Sequence, residues 1–594
     1  MNMERRFAES KLTKGEKKRI LLRLIRYVMQ YKHLLFVAVF FSILTNVCAL
    51  IGPYLSGKAI GLLESVRDGG TLDMEKVLFY SAVMLVLYLL SALFAYLLTL
   101  AMVNLTRCVV KQMRSDVFRK LSILPVGYFD MHQTGDILSR MSYDIDVINT
   151  SLSTDIVQIL SSVITIVVSF VMMIVISPKL MLVFAFTVPL MCVLITVITK
   201  KTRPLFRKRS AKLGELNGFV EEMISGQKTL KAYGQEDRSN ERFAVENGEA
   251  SKAYYNAEFF GTTVGPTTNF VNNLAMALVS VFGAVLYIGG GIGLDGIASF
   301  VLYSKKFSGP INEIANIIGD LQSALSAGER IFRLLDEDPE IDDVPDALPL
   351  TDVEGDVAFD HVDFAYVADK PVIEDLSLNI EKGSRVAIVG PTGAGKTTII
   401  NLLMRFYDPQ SGRILLDGKD LRSLKRADLR KSYTMVLQDT WLFQGTIYEN
   451  IAYGKEGATL EDVKRVCRAA GIDSYVESLP DGYDTLINDD ATNISKGQKQ
   501  LLTIARAMLV DSHLLIFDEA TSNVDTCTEE QIQKAMNGIM EGKTNFIIAH
   551  RLSTVRHADV ILVVFDGRIV ETGSHEELME LGGIYAGMYN AQFI

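Results

Sequence analysis

The sequence predicts a chain of two parts: an all-α bundle of six membrane-spanning helices, followed by a soluble α/β domain. Three observations predict this multidomain arrangement. The first half carries six apolar stretches long enough to cross a bilayer, and the second half alternates strand-like with helix-like runs. The 594 residues also exceed what one compact domain usually holds.

Composition excludes several classes of protein. Hydrophobic residues make up 49% of the chain and charged residues 22%, which excludes a disordered chain. The 70 Asp and Glu residues outnumber the 60 Lys and Arg residues, so we expect no broad phosphate-binding face and no nucleic-acid partner. The 5 cysteines show no CxxC spacing, so neither a disulfide framework nor a zinc site is indicated.

Residues 1–33 form a basic lead-in with ten Lys or Arg residues and three Glu residues. No small-residue cleavage site follows it before the apolar run that starts at Leu34. We therefore expect a retained cytoplasmic amphipathic segment rather than a cleaved signal peptide.

A transmembrane domain is expected over residues 34–330. Its six apolar stretches have about the ~20 residues that a spanning helix needs. They cover about 34–53, 77–102, 156–176, 180–198, 268–288 and 296–318. The sixth is the least apolar, because Lys305, Lys306 and Glu313 interrupt it.

Loop charge predicts the orientation in the membrane. The long loops 104–155 and 199–266 carry six and twelve Lys or Arg residues, so both are expected inside with the basic N-terminus. Their helical pattern indicates that the spanning helices extend into the cytoplasm; separate globular insertions are the alternative. We expect a multi-pass protein of the plasma membrane, with a cytoplasmic N-terminus and a cytoplasmic soluble domain.

The soluble domain is expected over residues 357–594, after an acidic linker at 331–356. Residues 336–356 hold ten acidic residues, three prolines and no Lys or Arg, which is typical of a solvated linker. Beyond the linker, strands are predicted at 385–389, 513–517, 544–549 and 560–564, and helices at 397–405 and 498–510. This alternation predicts a largely parallel core sheet.

A phosphate-binding motif follows the first of these core strands. Residues 390–397 read GPTGAGKT, which fits the pattern GxxxxGK[ST]. The glycines allow backbone N–H groups to surround phosphate oxygens at a helix N-terminus, Lys396 can reach the β- and γ-phosphates, and Thr397 can ligate Mg²⁺. The predicted nucleotide-binding residues of this loop are Gly390, Pro391, Thr392, Gly393, Ala394, Gly395, Lys396, Thr397 and Thr398. This motif makes the soluble part a P-loop NTPase domain, because a ligand-free glycine turn would not require the Lys-Thr pair.

Two carboxylates end the strand at 513–517. Asp518 is placed to hold Mg²⁺, and Glu519 can polarise an attacking water as general base. Two acids at a strand end are often only a helix cap, but their place after a phosphate-binding loop favours the catalytic interpretation.

These motifs resemble those of the ABC transporters, and the whole chain resembles an ABC half-exporter with fused membrane and nucleotide-binding domains. The resemblance implies that Tyr366 stacks on adenine and that Gln438 contacts Mg²⁺ and faces the membrane domain. It implies that His550 reads the γ-phosphate as a catalytic residue beside Glu519, Lys396 and Gln438. It also implies that residues 522–525 cross a dimer interface. In the membrane half, residues 128–146 and 218–237 resemble the two cytoplasmic loops that bear coupling helices, and 307–316 resembles the inner end of the sixth helix.

One element departs from the family pattern. The usual LSGGQ is ISKGQ at 494–498, so Ser495, Gly497 and Gln498 remain to meet the partner's ATP, whereas Lys496 replaces a glycine. The segment before it has Asn488 and Ala491 in place of the usual glycine-bearing pattern. Residues acting on the chain's own ATP are intact, and those altered act on ATP bound by the opposite chain. This split suits a heterodimer with a second ABC half-transporter, although a homodimer with harmless variation is also open.

The resemblance implies a bacterial, ATP-driven exporter with ATP and Mg²⁺ as cofactors. Its expected substrates are small hydrophobic or amphipathic compounds, drugs or lipids. An ATP-gated channel or regulator and a peptide exporter are the alternatives; an importer is disfavoured by the fused domain order. Polar residues at membrane depth, Asn269, Asn272 and Asn273, are candidates for the substrate pathway. For Lys305 and Lys306 two interpretations are open: they line the same pathway, or their side chains snorkel to the membrane interface.

Overall fold

The computed structural model describes residues 13–67, 71–367, 370–437, 440–488, 493–518, 526–549 and 555–591. The chain divides into two compact units. The N-terminal unit comprises the chain up to Ile123 together with Gln133–Glu337, and the C-terminal unit comprises Leu124–His132 together with the chain from Asp338.

In the part that the structure describes, the N-terminal unit consists of helices joined by short connections. They are α1 (Lys14–Met29), α2 (Lys32–Arg67), α3 (Met74–Leu121), α5 (Thr134–Ser139), α6 (Ile145–Thr150), α7 (Ile156–Ile176), α8 (Met181–Ser225), α9 (Gln227–Ala232), α10 (Glu236–Gly261), α11 (Val264–Ile288) and α12 (Leu294–Asp336). Helix α4 (Val126–Met131) belongs to the C-terminal unit. Thr13 caps α1 in a capping box with Glu16.

Five helical segments within the described residues are long and apolar enough to cross a membrane: Lys32–Glu64, Met74–Leu121, Thr134–Ile176, Met181–Ser225 and Glu236–Ile288. They contain the first five predicted spans and confirm that the chain is a membrane protein. The sixth predicted span lies in α12, which is helical over its whole length but fails the same apolar criterion. Its charged residues Lys305, Lys306 and Glu313 explain the difference.

An aromatic cluster joins four helices of the N-terminal unit. Phe184 of α8 lies between Phe300 and Phe307 of α12, with ring centroids 6.1 and 5.7 Å apart. Met173 of α7 and Val279 of α11 complete this buried cluster. Because interior contacts of this kind are close-packed, the cluster fixes how α12 sits against its neighbours.

The C-terminal unit contains two main sheets. A four-stranded antiparallel sheet has the order β2-β1-β4-β5, with β1 (Val357–Phe364), β2 (Ile373–Ile380), β4 (Ser411–Leu416) and β5 (Lys419–Asp420). A six-stranded sheet has the order β12-β11-β3-β10-β9-β6, with β3 (Arg385–Val389), β6 (Tyr433–Val436), β9 (Leu514–Asp518), β10 (Thr544–Ile548), β11 (Val560–Phe565) and β12 (Arg568–Gly573). All its pairs are parallel except β11 with β12, which confirms the predicted α/β class.

Short elements complete the described part of this unit. The helices are α13 (Lys396–Leu403), α14 (Arg426–Ser432), α15 (Ile447–Ala452), α16 (Leu460–Ala470), α17 (Asp473–Ser478), α18 (Lys496–Val510), α19 (Thr526–Met540), α20 (His575–Leu581) and α21 (Ile584–Ala591). Strands β7 (Gly445–Thr446) and β8 (Leu486–Ile487) form a small separate ribbon.

The six-stranded sheet is buried on both faces. Along β9, Leu515 and Phe517 enter one hydrophobic core, and Leu514 and Ile516 enter the other. A strand covered on both faces needs an uninterrupted apolar sequence, which is what LLIF provides. Its carboxyl end is therefore the first place along the strand where a charged side chain is tolerated.

Most residues of the acidic segment 336–356 are exposed, and some of its acidic residues are held by side chains of the C-terminal unit. Arg430 holds Glu340 with two N–H groups, at 2.5 and 3.1 Å. The backbone N–H of Arg426 donates to Asp343, and the Arg426 guanidinium donates to the carbonyl of Ile341. Arginines of the C-terminal unit therefore bind the linker, and the acidic composition complements them.

Candidate nucleotide site

The phosphate-binding loop links β3 to α13. Gly390, Gly393 and Gly395 have φ angles of 152, 85 and 105°, which side chains rarely adopt. A Cβ on Gly390 would collide with the carbonyl oxygen of Val564, so this position also requires a residue without a side chain. The loop thereby brings backbone N–H groups to the N-terminus of α13, where the helix dipole favours an anion.

Lys396 is the first residue of α13 and is buried. Its Nζ lies 2.8 Å from the carbonyl oxygen of Gly390 and 3.0 Å from that of Pro391. The ammonium is therefore folded over the loop that its own backbone helps to form. Thr397 and Thr392 are exposed, whereas Ala394 and Thr398 are buried beneath the loop.

Tyr366 lies next to the same helix. Its hydroxyl donates to Thr398 Oγ1 at 3.2 Å and accepts a hydrogen bond from Asn401 Nδ2 at 3.0 Å. Its ring meets those of Phe364 and Tyr407 edge-on, at centroid distances of 4.9 and 5.0 Å. The side chain remains 43% exposed, so a ring face is accessible beside the phosphate-binding loop.

Parallel pairing brings the other predicted residues to this edge of the sheet. Ile388 of β3 is in register with Ile548 of β10, which is in register with Asp518 of β9. Residues following β3, β10 and β9 therefore leave neighbouring strands on the same side. Strand β6 lies next to β9 and precedes Gln438. Gln438, Glu519 and His550 themselves lie outside the described residues, as do Ala491 and residues 522–525.

The ISKGQ element forms the N-terminus of α18. Ser495 caps the helix, because its Oγ accepts from the backbone N–H of Gln498 while the Gln498 side chain accepts from Ser495 N–H at 2.9 Å. Gly497 is buried, and Lys496 is exposed at the first helical position. Replacing the usual glycine with Lys496 is therefore compatible with the helix and its cap.

Two features of this region were missed by the sequence analysis. A cavity of about 300 Å³ is lined by Leu437, Thr440, Trp441, Tyr453 and Arg506, so it borders Gln438 on both sides in sequence. Arg506 donates to the Trp441 carbonyl at 3.1 Å, and burial lowers the pKa of its guanidinium. Trp441 and Tyr453 were the sequence features that could have indicated this cavity, but they are not adjacent in sequence.

The second missed feature is Tyr407. Its hydroxyl donates to Asp130 of α4 at 2.6 Å, and burial, followed by this hydrogen bond, raises the pKa of the phenol. Gly127 of α4 lies against the Tyr407 ring, where a Cβ would be 3.0 Å from the nearest ring carbon. Tyr407 therefore contacts both Tyr366 and part of the loop at 128–146 that resembles a coupling loop.

The residues present fit a nucleotide and a divalent cation. The glycine loop leaves a concave backbone surface at a helix N-terminus, which suits phosphate oxygens. The hydroxyl of Thr397 and the carboxylate of Asp518 offer the hard oxygen ligands that Mg²⁺ prefers. Asp518 ends β9 half-buried, at the edge where the phosphate-binding loop leaves β3.

Comparison with known proteins agrees with this fold. The family described as ABC transporter transmembrane region matches residues 35–311, and the family described as ABC transporter matches residues 373–522. A fatty acid ABC transporter ATP-binding/permease protein of Mycobacterium bovis is 45% identical over 528 residues, which cover 89% of this chain and 83% of the relative. An ATP-dependent lipid A-core flippase of Desulfotalea psychrophila is 32% identical over 97% of this chain and all of the relative.

Among solved structures, a bacterial Atm1-family ABC exporter with ATP bound superposes with a TM-score of 0.75 and 28% identity. It covers 98% of this chain and 99% of that structure. The chain belongs to the ABC transporter family, as a fused exporter. It is a membrane protein whose nucleotide-binding domain binds and hydrolyses ATP to drive transport.

Proposed function

We propose that this chain is one subunit of a dimeric exporter that moves amphipathic lipids out of the cytoplasmic leaflet of a bacterial plasma membrane. The observation that carries the proposal is the phosphate-binding loop with Lys396 folded over it, in a chain whose other half is a bundle of apolar helices. The proposed lipid substrate is supported by the names of two relatives, a fatty acid transporter and a lipid A-core flippase.

The residues of the nucleotide site take the following roles in this proposal. Backbone N–H groups of the loop 390–398 and the Lys396 ammonium bind the phosphates, and Tyr366 stacks on the adenine. Thr397, Gln438 and Asp518 hold Mg²⁺, which when bound neutralises charge on the β- and γ-phosphates. Glu519 accepts a proton from the attacking water, and His550 orients the γ-phosphate end of the site.

A second subunit supplies the other side of each ATP site. Ser495, Gly497 and Gln498 at the capped N-terminus of α18 close over ATP bound by the partner. Closure stabilised by ATP shifts the pair toward an outward-open state, because a ligand displaces an equilibrium only through its higher affinity for one state. Hydrolysis at Glu519 then resets the pair. Because Lys496 alters only the surface offered to the partner, we propose a heterodimer.

Glu519→Gln tests the function directly. In proteoliposomes containing the assembled transporter, the variant should lose steady-state ATPase by ~10²–10⁴-fold, the typical contribution of a general base. ATP binding should be retained, and transfer of a fluorescent fatty acid to the outer leaflet should stop. Glu541→Gln, at an exposed glutamate beyond α19, is the matched control and should leave both activities unchanged.

Other results would favour the alternatives. ATP-dependent ionic current without lipid transfer would indicate a channel, and transfer of peptides alone would indicate a peptide exporter. Glu519→Gln activity within about threefold of the parent would contradict the role proposed for Glu519.

A further inference from the structure

Helix α12 carries two lysines in the middle of the predicted membrane span. Lys305 lies about 16 Å along the helix from its first residue, Leu294, at 1.5 Å per residue. The hydrocarbon core of a bilayer is ~30 Å thick, so both lysines lie close to its midplane. A lysine side chain has only four methylene groups and cannot reach either surface from that depth. Snorkelling therefore does not account for these residues.

The lysines lie on the open face of α12. On its opposite face, Phe300, Tyr303 and Phe307 are buried, and the helix packs against α2, α3, α7 and α11. Lys305 and Lys306 are both exposed, and a Cβ on Gly309, one turn further on, would meet no atom within 4 Å. Neither ammonium forms an ion pair with any described residue.

A charged face at this depth is not tolerated against lipid tails. A charged side chain at the centre of a bilayer is energetically costly, so charged residues in membrane helices almost always face the bundle interior or a water-filled cavity. Among the described residues, helix α12 packs against α1, α2, α3, α6, α7 and α11, and its open face is where the lysines lie. An aqueous transport pathway is the surrounding that this face fits.

Glu313, the acidic residue of α12 nearest in sequence to the lysines, lies too far away to neutralise them. Glu313 is seven residues beyond Lys306, on the same face and about 10 Å along the axis. Its carboxylate accepts a hydrogen bond from Ser162 of α7 at 3.1 Å. The open face of α12 therefore carries two positive charges near the membrane midplane. The Glu313 carboxylate lies separately, nearer the C-terminal end of the helix, and is hydrogen-bonded to α7.

We propose that Lys305 and Lys306 bind the anionic head group, a carboxylate or a phosphate, of the transported lipid. Two ammonium groups at one level suit an anion, because charge-assisted hydrogen bonds are among the strongest in proteins. The open space beside Gly309 gives access to that level. This inference rests on the proposed lipid export and adds the feature of the lipid that is recognised.

Three probes with one alkyl chain test the inference. Oleate, oleyl phosphate and oleyl alcohol are added to the transporter in neutral phosphatidylcholine nanodiscs, and the concentration for half-maximal ATPase stimulation is measured. The double variant Lys305→Gln/Lys306→Gln should raise this concentration about tenfold or more for the oleate and phosphate probes, and should leave the value for the alcohol unchanged. The Lys305→Arg/Lys306→Arg variant should stay near the parent, and Lys200→Gln, an exposed lysine of α8, is the control.

The outcomes separate the two proposals. If all three probes stimulate the parent equally, or if the glutamine variant affects all three alike, lipid export stands and the head-group inference is overturned. The second of these results would indicate that the lysines serve folding or contacts between subunits. If the parent transporter keeps its basal ATPase activity but none of the probes stimulates that activity or is transported, the lipid proposal is wrong. The head-group inference, which depends on it, is then wrong as well. A preference for oleate over oleyl phosphate, or the reverse, identifies the head group.

Discussion

Lys396 shows how much of the nucleotide site depends on one side chain. Its buried ammonium is held by two carbonyl oxygens of the loop, at 2.8 and 3.0 Å, so it already points to the space enclosed by the loop. An ammonium held in place needs little reorganisation to meet phosphate, so we expect its removal to weaken binding and not only turnover.

Lys396→Ala should weaken ATP binding about tenfold or more, because it removes a charge-assisted contact to two phosphates. A titration with a fluorescent ATP analogue measures this directly. Lys419→Ala, at an exposed lysine of β5, should leave the affinity unchanged. Equal affinity of Lys396→Ala and the parent would count against the assignment of the phosphate-binding loop.

Gly390 is constrained by both backbone angle and space, and Gly418 provides a matched comparison. Gly418 has a φ of 74° and open space around its Cβ position, whereas Gly390 has a φ of 152° and the Val564 carbonyl in the way. Gly418→Ala should cost about 1 kcal/mol of unfolding free energy from backbone strain alone. Gly390→Ala should cost more and also abolish ATP binding; similar losses for the two variants would show that the Val564 contact is unimportant.

At the scale of elements, α2 and α12 meet in an antiparallel seam that depends on small residues. A Cβ on Gly57 would collide with Ser299 Oγ and lie 2.5 Å from the Asp295 carbonyl oxygen. A Cβ on Gly61 would lie 2.7 Å from the Cβ of Asp295. Lys58 pairs with Asp295 at 2.7 Å, and Tyr303 donates to the Leu50 carbonyl at 2.6 Å. Close backbone approach of this kind is a common way for membrane helices to associate.

This seam predicts opposite signs for two glycine-to-alanine changes. Gly214 of α8 has no atom within 4 Å of its Cβ position, so Gly214→Ala should stabilise the protein by roughly 0.5–1 kcal/mol through helix propensity. Gly57→Ala gains the same propensity but separates α2 from α12, and should be destabilising by roughly 1–3 kcal/mol. Thermal unfolding in detergent compares the two; stabilisation by Gly57→Ala would refute the close packing.

Structure that depends on contiguous residues could be predicted from the sequence, whereas contacts between residues distant in sequence could not. The loop GPTGAGKT, the strand before it and the helix after it are contiguous, and the structure has strand 385–389 as predicted. Apolar runs located the membrane helices, and the helical pattern of the long loops predicted that these helices continue past the apolar stretches, as Met74–Leu121 does beyond 77–102. Arg426 and Arg430, which bind the linker, are remote from it in sequence, so its composition alone did not predict these contacts.

For the whole molecule, the departures from the family pattern fall on one side of the site. The loop 390–398, Tyr366 and Asp518, which are proposed to act on the chain's own ATP, match the family pattern and lie in the C-terminal unit. Lys496 instead adds an exposed charge to the capped N-terminus of α18, the surface proposed to meet the partner's ATP. A lysine there attracts phosphate, but it also adds bulk where two domains close.

The heterodimer proposal makes a prediction for the chain expressed alone. We expect poor assembly or little transport, because two copies would each combine an intact Glu519 with a Lys496 surface. Activity should return on co-expression with a partner half-transporter that has an unaltered closing element and no glutamate after its strand-end aspartate. In that pair Glu519→Gln should stop turnover, since the partner lacks a general base, whereas Lys496→Gly should change it only modestly. ATPase assays and size-exclusion chromatography on the single chain and the pair provide the measurement. A stable homodimer of this chain with rapid, lipid-stimulated ATPase and transport would exclude an obligate heterodimer, and Lys496 would then be a tolerated variation.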